Sequence, residues 1–122
     1  MKSYNLFLFK ILLVTIYILS FPLKSETVFI TGSNRGIGLE FTNQYANMGW
    51  SVIATSRTPK DDIKLQILAK KYSNISIHQL DVTNHKQIDE LALKLKDVPI
   101  DVLLNNAGIL GGSEDNQKIG NL

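Results

Sequence analysis

The sequence of 122 residues contains no cysteine. Disulfides, thiolate chemistry and cysteine-based metal sites are therefore excluded. It also lacks a dominant charge, since 13 basic and 11 acidic residues leave a formal net charge of +2. This balance gives no support to a nucleic-acid partner, and lysines mixed with acids are typical of solvated helix faces. With 44% hydrophobic and 20% charged residues, the composition is that of one ordinary globular domain.

A hydrophobic run of membrane-spanning length is missing as well. The N-terminal apolar stretch covers eleven residues, 11–21, between Lys10 and Pro22. A bilayer span needs about 20 residues, so this length favours the core of a signal peptide. We assign residues 1–25 to a signal peptide or a short membrane anchor, with a misassigned start codon as the third alternative. The first two alternatives indicate export or membrane association.

From Glu26 onward, strand-like and helix-like segments alternate. Short β-rich runs predict strands at 27–31, 50–56, 75–80 and 100–104. Apolar residues at helical spacing predict helices at 38–48, 61–72 and 83–96. Strands separated by single helices form a parallel sheet with right-handed crossovers. We therefore predict an α/β fold with a doubly wound parallel sheet, of which residues 26–122 supply the first half in the strand order 3-2-1-4.

Three local details complete this prediction. Helical spacing places Ile63, Ile67, Leu68 and Tyr72 on the buried face of the second predicted helix. Thr83 is of a type that caps helices and is predicted to start the third one. The polar, glycine-rich segment 111–120 predicts a loop.

The most informative segment follows the first strand and reads Thr31-Gly32-Ser33-Asn34-Arg35-Gly36-Ile37-Gly38. Gly32 allows a tight turn off the strand, and Gly36 lets the backbone approach a pyrophosphate. Gly38 removes a side chain where helix and strand must pack closely. The helix that follows directs free N–H groups and its positive dipole end at an anion. The segment therefore predicts a turn that binds a dinucleotide.

Cofactor choice depends on the end of the second strand, where an NAD-specific fold carries Asp or Glu for the ribose 2′-hydroxyl. Here the strand ends in Ser56-Arg57, without an acid. The guanidinium of Arg57 can bind a 2′-phosphate, and Arg35 in the glycine turn lies beside the same region. The pattern favours NADP over NAD. The alternative is that both arginines are solvated surface charges.

Two further motifs give the sequence a family resemblance. Leu80-Asp81-Val82-Thr83 follows the third strand, and Asn105-Asn106-Ala107-Gly108 follows the fourth. With the glycine turn, these motifs resemble the short-chain dehydrogenase/reductase family over residues 27–110, and more weakly its C-factor-like carbonyl reductases. The resemblance implies a Rossmann-like fold and an oxidoreductase that transfers hydride between a nicotinamide dinucleotide and a small carbonyl or alcohol substrate.

The resemblance also assigns roles to these residues. The carboxylate of Asp81 would accept from the adenine amino group while Val82 packs on the ring. Asn105 would tie the central strands together, and the segment from Asn106 to Gly108 would line the cofactor path. The alternative for Asp81 and the two asparagines is an ordinary turn role, in which their side chains bond local backbone.

The catalytic pair that the resemblance implies is not found in this chain. A tyrosine would donate the proton, and a lysine four residues later would lower the tyrosine pKa, because its positive charge favours the phenolate. None of the four tyrosines, at positions 4, 17, 45 and 72, has a lysine four positions on. We therefore expect an N-terminal fragment of a longer enzyme, in which one face of the sheet lacks its covering helices. The rivals are a non-catalytic dinucleotide-binding or regulatory protein and a truncated, nonfunctional product.

Assembly, location and the histidines complete the expectations. Members of the family are often dimers or tetramers, so a homo-oligomer is an expectation for the full-length protein. The need for NADP(H) favours the cytoplasm, whereas the N-terminal segment favours export, and the sequence leaves both alternatives open. His78 lies inside a predicted strand and His85 in the first turn of a predicted helix. We interpret both histidines as structural, and we expect no metal site.

Overall fold

The structure, a computed structural model, describes residues 2–19 and 24–108. The predicted loop at 111–120 lies outside these residues. The helices are α1 (Lys2–Leu19), α2 (Gly36–Asn47), α3 (Ile63–Lys71) and α4 (His85–Lys94). The strands are β1 (Thr27–Ile30), β2 (Ser51–Ser56), β3 (Ile75–Gln79) and β4 (Val102–Leu104). Each strand and helix predicted from Glu26 onward is present, with ends within two residues of those expected.

The four strands form one parallel sheet in the order β3-β2-β1-β4, which confirms the predicted topology. Strand β1 is buried along its whole length, and it lies between two neighbouring strands. The order reverses at β1, since β2 and β3 lie on one side of it and β4 on the other. The carboxyl ends of β1 and β4 are therefore neighbours at a topological switch point, where open α/β sheets bind their ligands.

The core is divided between the two faces of the sheet. On one face, Val28, Ile30, Val52 and Ala54 pack against α2 and α3, and Leu65 of α3 is fully buried there. We call this the α2/α3 face. Alternate strand residues point the other way, as the pleat requires. Phe29 and Ile53 pack with Leu80 and Leu91 on what we call the α4 face.

Two of the local expectations for the helices are wrong in part. Leu68 and Tyr72 do lie on the inner side of α3, but Ile63 and Ile67 are 69% and 58% exposed, and Leu65 is the buried residue. Residues 65, 68 and 72 share one face of a helix, whereas 63 and 67 share the opposite face. Since α3 carries apolar residues on both faces, only packing against the sheet selects one.

The cap of α4 also differs from the expectation. Asn84, not Thr83, accepts the hydrogen bond from the backbone N–H of Gln87, at 3.2 Å. The hydroxyl of Thr83 instead donates to the carboxylate of Asp81, at 2.7 Å. The helix therefore begins later because the Thr83 side chain is already engaged two residues back.

Helix α1 stands apart from this core in its surface character. Large apolar side chains along it are exposed, among them Phe7 at 64% and Leu8 at 62%. Within residues 2–19 and 24–108, no helix combines the length and the apolar character that crossing a membrane requires. The assignment of residues 1–25 to a signal peptide or anchor stays a prediction.

Candidate functional site

A cavity of about 350 Å³ opens at the carboxyl edge of the sheet, at the switch point between β1 and β4. Four segments that are distant in sequence meet there: the glycine turn, the end of β2, and the loops after β3 and β4. The predicted site residues that line it are Gly32, Asn34, Arg35, Gly36, Ile37, Arg57, Asp81, Val82, Asn106, Ala107 and Gly108. Ser56 and Leu80 line it as well, and the sequence reasoning missed both. The fold thus brings all the motifs to one place.

Two glycines shape the turn through their backbone conformation. Gly32 and Gly36 have φ of 65° and 53°, in the left-handed region that favours glycine. A Cβ on Gly32 would lie 2.9 Å from Cα of Ala107, whereas a Cβ on Gly36 would meet nothing within 4 Å. The first glycine therefore permits close contact with the loop after β4. The second leaves the backbone open at the start of α2, where an anion would find free N–H groups.

Gly38 closes the helix onto the strand, as its position predicts. It is buried, and a Cβ there would collide with the carbonyl oxygen of Gly32 and the side-chain nitrogen of Asn106. Gly38 does not line the cavity itself. Its contribution is to let α2 begin directly behind the turn.

Two other predicted site residues lie behind the cavity and hold its wall in place. The Ser33 hydroxyl is fully buried, donates to the carbonyl of Ile30 at 3.0 Å and accepts from the N–H of Thr55 at 3.3 Å. The Thr31 hydroxyl accepts from the N–H of Ala107 at 2.9 Å and donates to the carbonyl of Leu104 at 3.4 Å. Ser33 therefore ties β1 to β2, and Thr31 ties β1 to the segment after β4.

The strand-tying role expected of Asn105 belongs to its neighbour. The side-chain amide of Asn106 donates to the carbonyls of Thr31 and Gly32, at 3.3 and 3.1 Å. Asn105 is exposed and borders a second cavity on the α4 face. The reason is geometric: the backbone turns after β4, with Asn106 N–H bonded to the carbonyl of Leu104, and this turn brings residue 106 across to β1.

Asp81 is prepared as an ionised acceptor at the cavity. Its Oδ1 accepts from the hydroxyl of Thr83 at 2.7 Å and from the N–H of Thr83 at 2.9 Å. These two hydrogen bonds lower the pKa of Asp81, the positive charge of Arg57 adds to the effect, and desolvation opposes it. At neutral pH the group is therefore a carboxylate, which accepts hydrogen bonds and donates none.

The charge at the cavity is positive on its β2 side. Arg35 and Arg57 are both exposed and both line it. Within the described part of the chain, the ion pair that forms is Lys86–Glu90, at 3.8 Å, so neither arginine is engaged by a carboxylate there. Ser56 also lines the cavity, and its buried hydroxyl has no hydrogen-bond partner among residues 24–108. Two guanidinium groups that line the same cavity as a helix N-terminus favour the binding of an anion.

One contact at this site had no precursor in the sequence patterns. The side-chain N–H of Asn34 donates to Oδ1 of Asp62, at 3.1 Å. This bond joins the glycine turn to the start of α3. A motif search cannot find it, because the two residues belong to no common motif and meet only through the fold.

The histidines lie away from this cavity. His78 is in β3, and burial followed by the charge of Lys94 lowers its pKa, so it is neutral at pH 7. His85 opens α4 and is exposed to solvent. Their interpretation as a strand residue and a first-turn residue is confirmed. Among residues 2–19 and 24–108, no cluster of three or more His, Asp or Glu side chains suited to a metal ion occurs.

Comparisons with known proteins agree with this geometry. Residues 26–121 match the short chain dehydrogenase family. The chain is similar to short-chain dehydrogenase/reductase 1 of Saponaria officinalis, with 39% identity over 98 residues that cover 75% of this chain and 32% of that protein.

Solved structures show the same relationship. A carbonyl reductase from Pseudomonas aeruginosa PAO1 in complex with NADP has 28% identity and a TM-score of 0.70, over 80% of this chain and 44% of that one. A short-chain dehydrogenase/reductase from Burkholderia multivorans with bound NADP has 31% identity and a TM-score of 0.62, over 66% and 35%. The chain spans about a third of the length of the curated relatives it matches. It belongs to the short chain dehydrogenase family.

Proposed function

We propose that this chain is the cofactor-binding part of an NADP-dependent oxidoreductase, which transfers hydride between the nicotinamide ring and a small carbonyl or alcohol substrate. The observation that carries the proposal is the cavity at the switch point, which is lined by the open N-terminus of α2 and by the side chains of Arg35 and Arg57. Family membership and the NADP-containing structural relatives support it.

The residues present suit the separate parts of the cofactor. The pyrophosphate would bind at Gly36, where the left-handed backbone leaves the first N–H groups of α2 accessible. The adenine would lie against Val82, with its amino group donating to the carboxylate of Asp81. The 2′-phosphate would bind to Arg35 and Arg57, because a guanidinium group can form two parallel hydrogen bonds to a phosphate.

NADPH supplies the hydride, and this chain supplies binding and orientation. None of the four tyrosines is followed by a lysine at the fourth position, so we place the proton-donating pair in a part of the protein beyond these residues. The cavity wall at Asn106 and Ala107, which hydrogen bonds to Thr31 hold in place, would orient a ribose of the cofactor. Substrate selection belongs to the rest of the protein.

Binding measurements on the chain test this proposal. Calorimetric titration with NADP⁺, NAD⁺ and 2′,5′-ADP should show NADP⁺ binding at least tenfold more tightly than NAD⁺, which corresponds to about 1.4 kcal/mol. The nucleotide 2′,5′-ADP should compete with NADP⁺, because it carries the 2′-phosphate. Equal affinities for NADP⁺ and NAD⁺ would contradict the NADP assignment, and no binding of either would contradict the function.

A second function is favoured by one observation, the lack of a tyrosine–lysine pair within the 122 residues. A non-catalytic protein could use the same cavity to sense NADP(H). Sequencing the coding DNA past codon 122 separates the two. A serine followed by Tyr-x-x-x-Lys supports the enzyme, and a continuation with these positions replaced supports the sensor.

For residues 1–25 we propose a role in export or membrane association. The support is the apolar sequence between Lys10 and Pro22 and the exposure of large apolar side chains along α1. N-terminal sequencing of the protein isolated from its source cells tests the idea. A mature chain that begins near Glu26 supports a signal peptide, an intact chain in the membrane fraction supports an anchor, and an intact chain in the soluble fraction contradicts both.

A further inference from the structure

Asp62 occupies a helix-capping position without capping its helix. It directly precedes α3, yet its side chain accepts no hydrogen bond from the first N–H groups of that helix. Its Oδ1 instead accepts from the side-chain amide of Asn34, at 3.1 Å, and its Oδ2 is buried without a hydrogen-bond partner among the residues that the structure describes. Asn34 lines the cofactor cavity.

This arrangement is poorly explained by stability alone. A capping aspartate contributes about 1 kcal/mol to a helix, and Asp62 gives up that contribution. Burying a carboxylate oxygen without a partner carries a further cost. A side chain selected only for the fold would have capped α3, so the contact with Asn34 calls for another reason.

The contact fixes the orientation of the Asn34 side chain. Oδ1 of Asp62 accepts the hydrogen bond from the side-chain nitrogen of Asn34, so the nitrogen end of the amide faces Asp62. One N–H is engaged there, and the second N–H and the carbonyl oxygen remain available. Asn34 is thus held in one orientation at the wall of the cavity.

The contact also joins two walls of that cavity. The side chain of Gln66 in α3 donates to the carbonyls of Pro59 and Lys60, both at 2.8 Å, and so fixes the loop that follows Arg57 to the helix. Asp62 connects this loop and helix to the glycine turn. The distance between Arg57 on one wall and Asn34 on the other therefore depends on Asp62.

We propose that Asp62 is a positioning residue of the cofactor site. It acts through Asn34, and it holds the glycine turn and the loop after β2 at the separation that the adenosine end of NADP requires. This inference rests on the proposed function. It assigns a carboxylate outside every recognised motif of the sequence to the cofactor site.

The variant Asp62→Ser separates this role from a structural one. Serine is a strong capping residue but is too short to reach Asn34. We expect the free energy of unfolding to stay the same or rise, while NADP⁺ affinity measured by calorimetry falls about tenfold, the loss typical of a hydrogen bond to a charged group. Unchanged NADP⁺ affinity in Asp62→Ser would overturn the proposal.

Two matched variants define the cause. Asp61→Ser removes the same charge from an exposed neighbour that does not line the cavity, and it should bind NADP⁺ as the unaltered chain does. Asp62→Asn keeps an acceptor oxygen for Asn34 and should retain affinity to within about threefold. If Asp61→Ser loses as much NADP⁺ affinity as Asp62→Ser, the cause is a general charge effect. If Asp62→Asn loses as much as Asp62→Ser, the acceptor oxygen at position 62 is not the cause. Either result would refute the positioning role.

A double-mutant cycle tests whether Asp62 acts through Asn34. If it does, Asn34→Ala and Asp62→Ser each lower NADP⁺ affinity. The double variant then has the same affinity as the single variant with the larger loss. Additive losses would show independent roles and overturn the inference. Failure of the unaltered chain to bind either dinucleotide would instead reject the proposed function, and this inference with it. If the unaltered chain binds NADP⁺ and the affinity losses of the two single variants add up in the double variant, only the inference is rejected.

Discussion

The two faces of the sheet differ in how completely they are covered. On the α2/α3 face, Val28, Ile30 and Leu65 are fully buried. On the α4 face, Phe29 keeps 9% of its surface, and Leu103 of β4 keeps 57%. A cavity of about 730 Å³, bordered largely by apolar side chains, lies open beside α4. Within residues 24–108, one face is a closed core and the other has apolar surface without a cover.

This difference indicates that the candidate site is positioned independently of how completely the α4 face is covered. Two of the segments that carry the site residues, the glycine turn and the loop after β4, are joined at the end of β1 by hydrogen bonds of Asn106 and Ala107. Hydrogen bonds at the carboxyl edge position them, whereas the α4 face is stabilised by side-chain burial. Within residues 24–108, Leu103 and Ile100 are 57% and 42% exposed, and the expectation that one face lacks its covering helices stays a prediction.

The largest expected effect contrasts the two faces directly. Leu65→Ala removes a fully buried side chain from the α2/α3 face and should lower the free energy of unfolding by about 3 kcal/mol. Leu103→Ala truncates a side chain that is 57% exposed and should cost less than about 1 kcal/mol. Urea unfolding followed by circular dichroism measures both. Equal losses would mean that the two faces do not differ in packing.

The next effect concerns the carboxyl edge of the sheet, where the glycine turn lies. Gly38→Ala places a Cβ against the carbonyl of Gly32 and the amide of Asn106. It should lower the free energy of unfolding by about 2 kcal/mol and also weaken NADP⁺ binding. Gly36→Ala is the control for stability alone, since its Cβ has open space and only the left-handed backbone is strained, by about 1 kcal/mol. Urea unfolding compares the two variants, and calorimetric titration measures NADP⁺ binding by Gly38→Ala. A Gly38→Ala variant as stable as the unaltered chain would contradict the close packing.

Cofactor preference should respond to the arginine at the end of β2. Arg57→Asp replaces the proposed hydrogen-bond donor to the 2′-phosphate by an acid that repels it. The ratio of NADP⁺ to NAD⁺ affinity should therefore fall at least tenfold, about 1.4 kcal/mol. Lys60→Asp makes the same charge change at an exposed position that does not line the cavity. A preference that is unchanged in Arg57→Asp, or changed equally in Lys60→Asp, would remove the arginine argument.

The smallest effect is on the titration of Asp81. Because its pKa is lowered in the folded chain, its ionised form contributes stability that is present above the unfolded value, about 3.9, and is lost as pH falls through the folded pKa. Thr83→Val removes the hydroxyl donor and should raise the pKa of Asp81 toward its ordinary value. Thr83→Ser keeps the donor and should leave it low. Carboxyl NMR shifts recorded against pH measure both variants, and an unmoved pKa in Thr83→Val would rule out the hydroxyl as the main cause.

Much of the fold could be predicted because its determinants are local. Alternating β-rich runs and helical spacing depend on near neighbours in the chain, and the order β3-β2-β1-β4 is that of the first half of a doubly wound fold. The same spacing misassigned Ile63 and Ile67, since two apolar faces of one helix look alike until a sheet covers one of them.

The candidate site divides in the same way. The left-handed turn at Gly32 and Gly36 and the basic end of β2 at Arg57 were determined by the sequence alone, because glycine conformation and side-chain charge are properties of single residues. The hydrogen bond from Asn106 to the carbonyl of Gly32 and the hydrogen bond from Asn34 to Asp62 were decided by tertiary structure. Each of these contacts needs a partner brought from a distant segment, and the direction in which a side chain reaches depends on the backbone turn that precedes it.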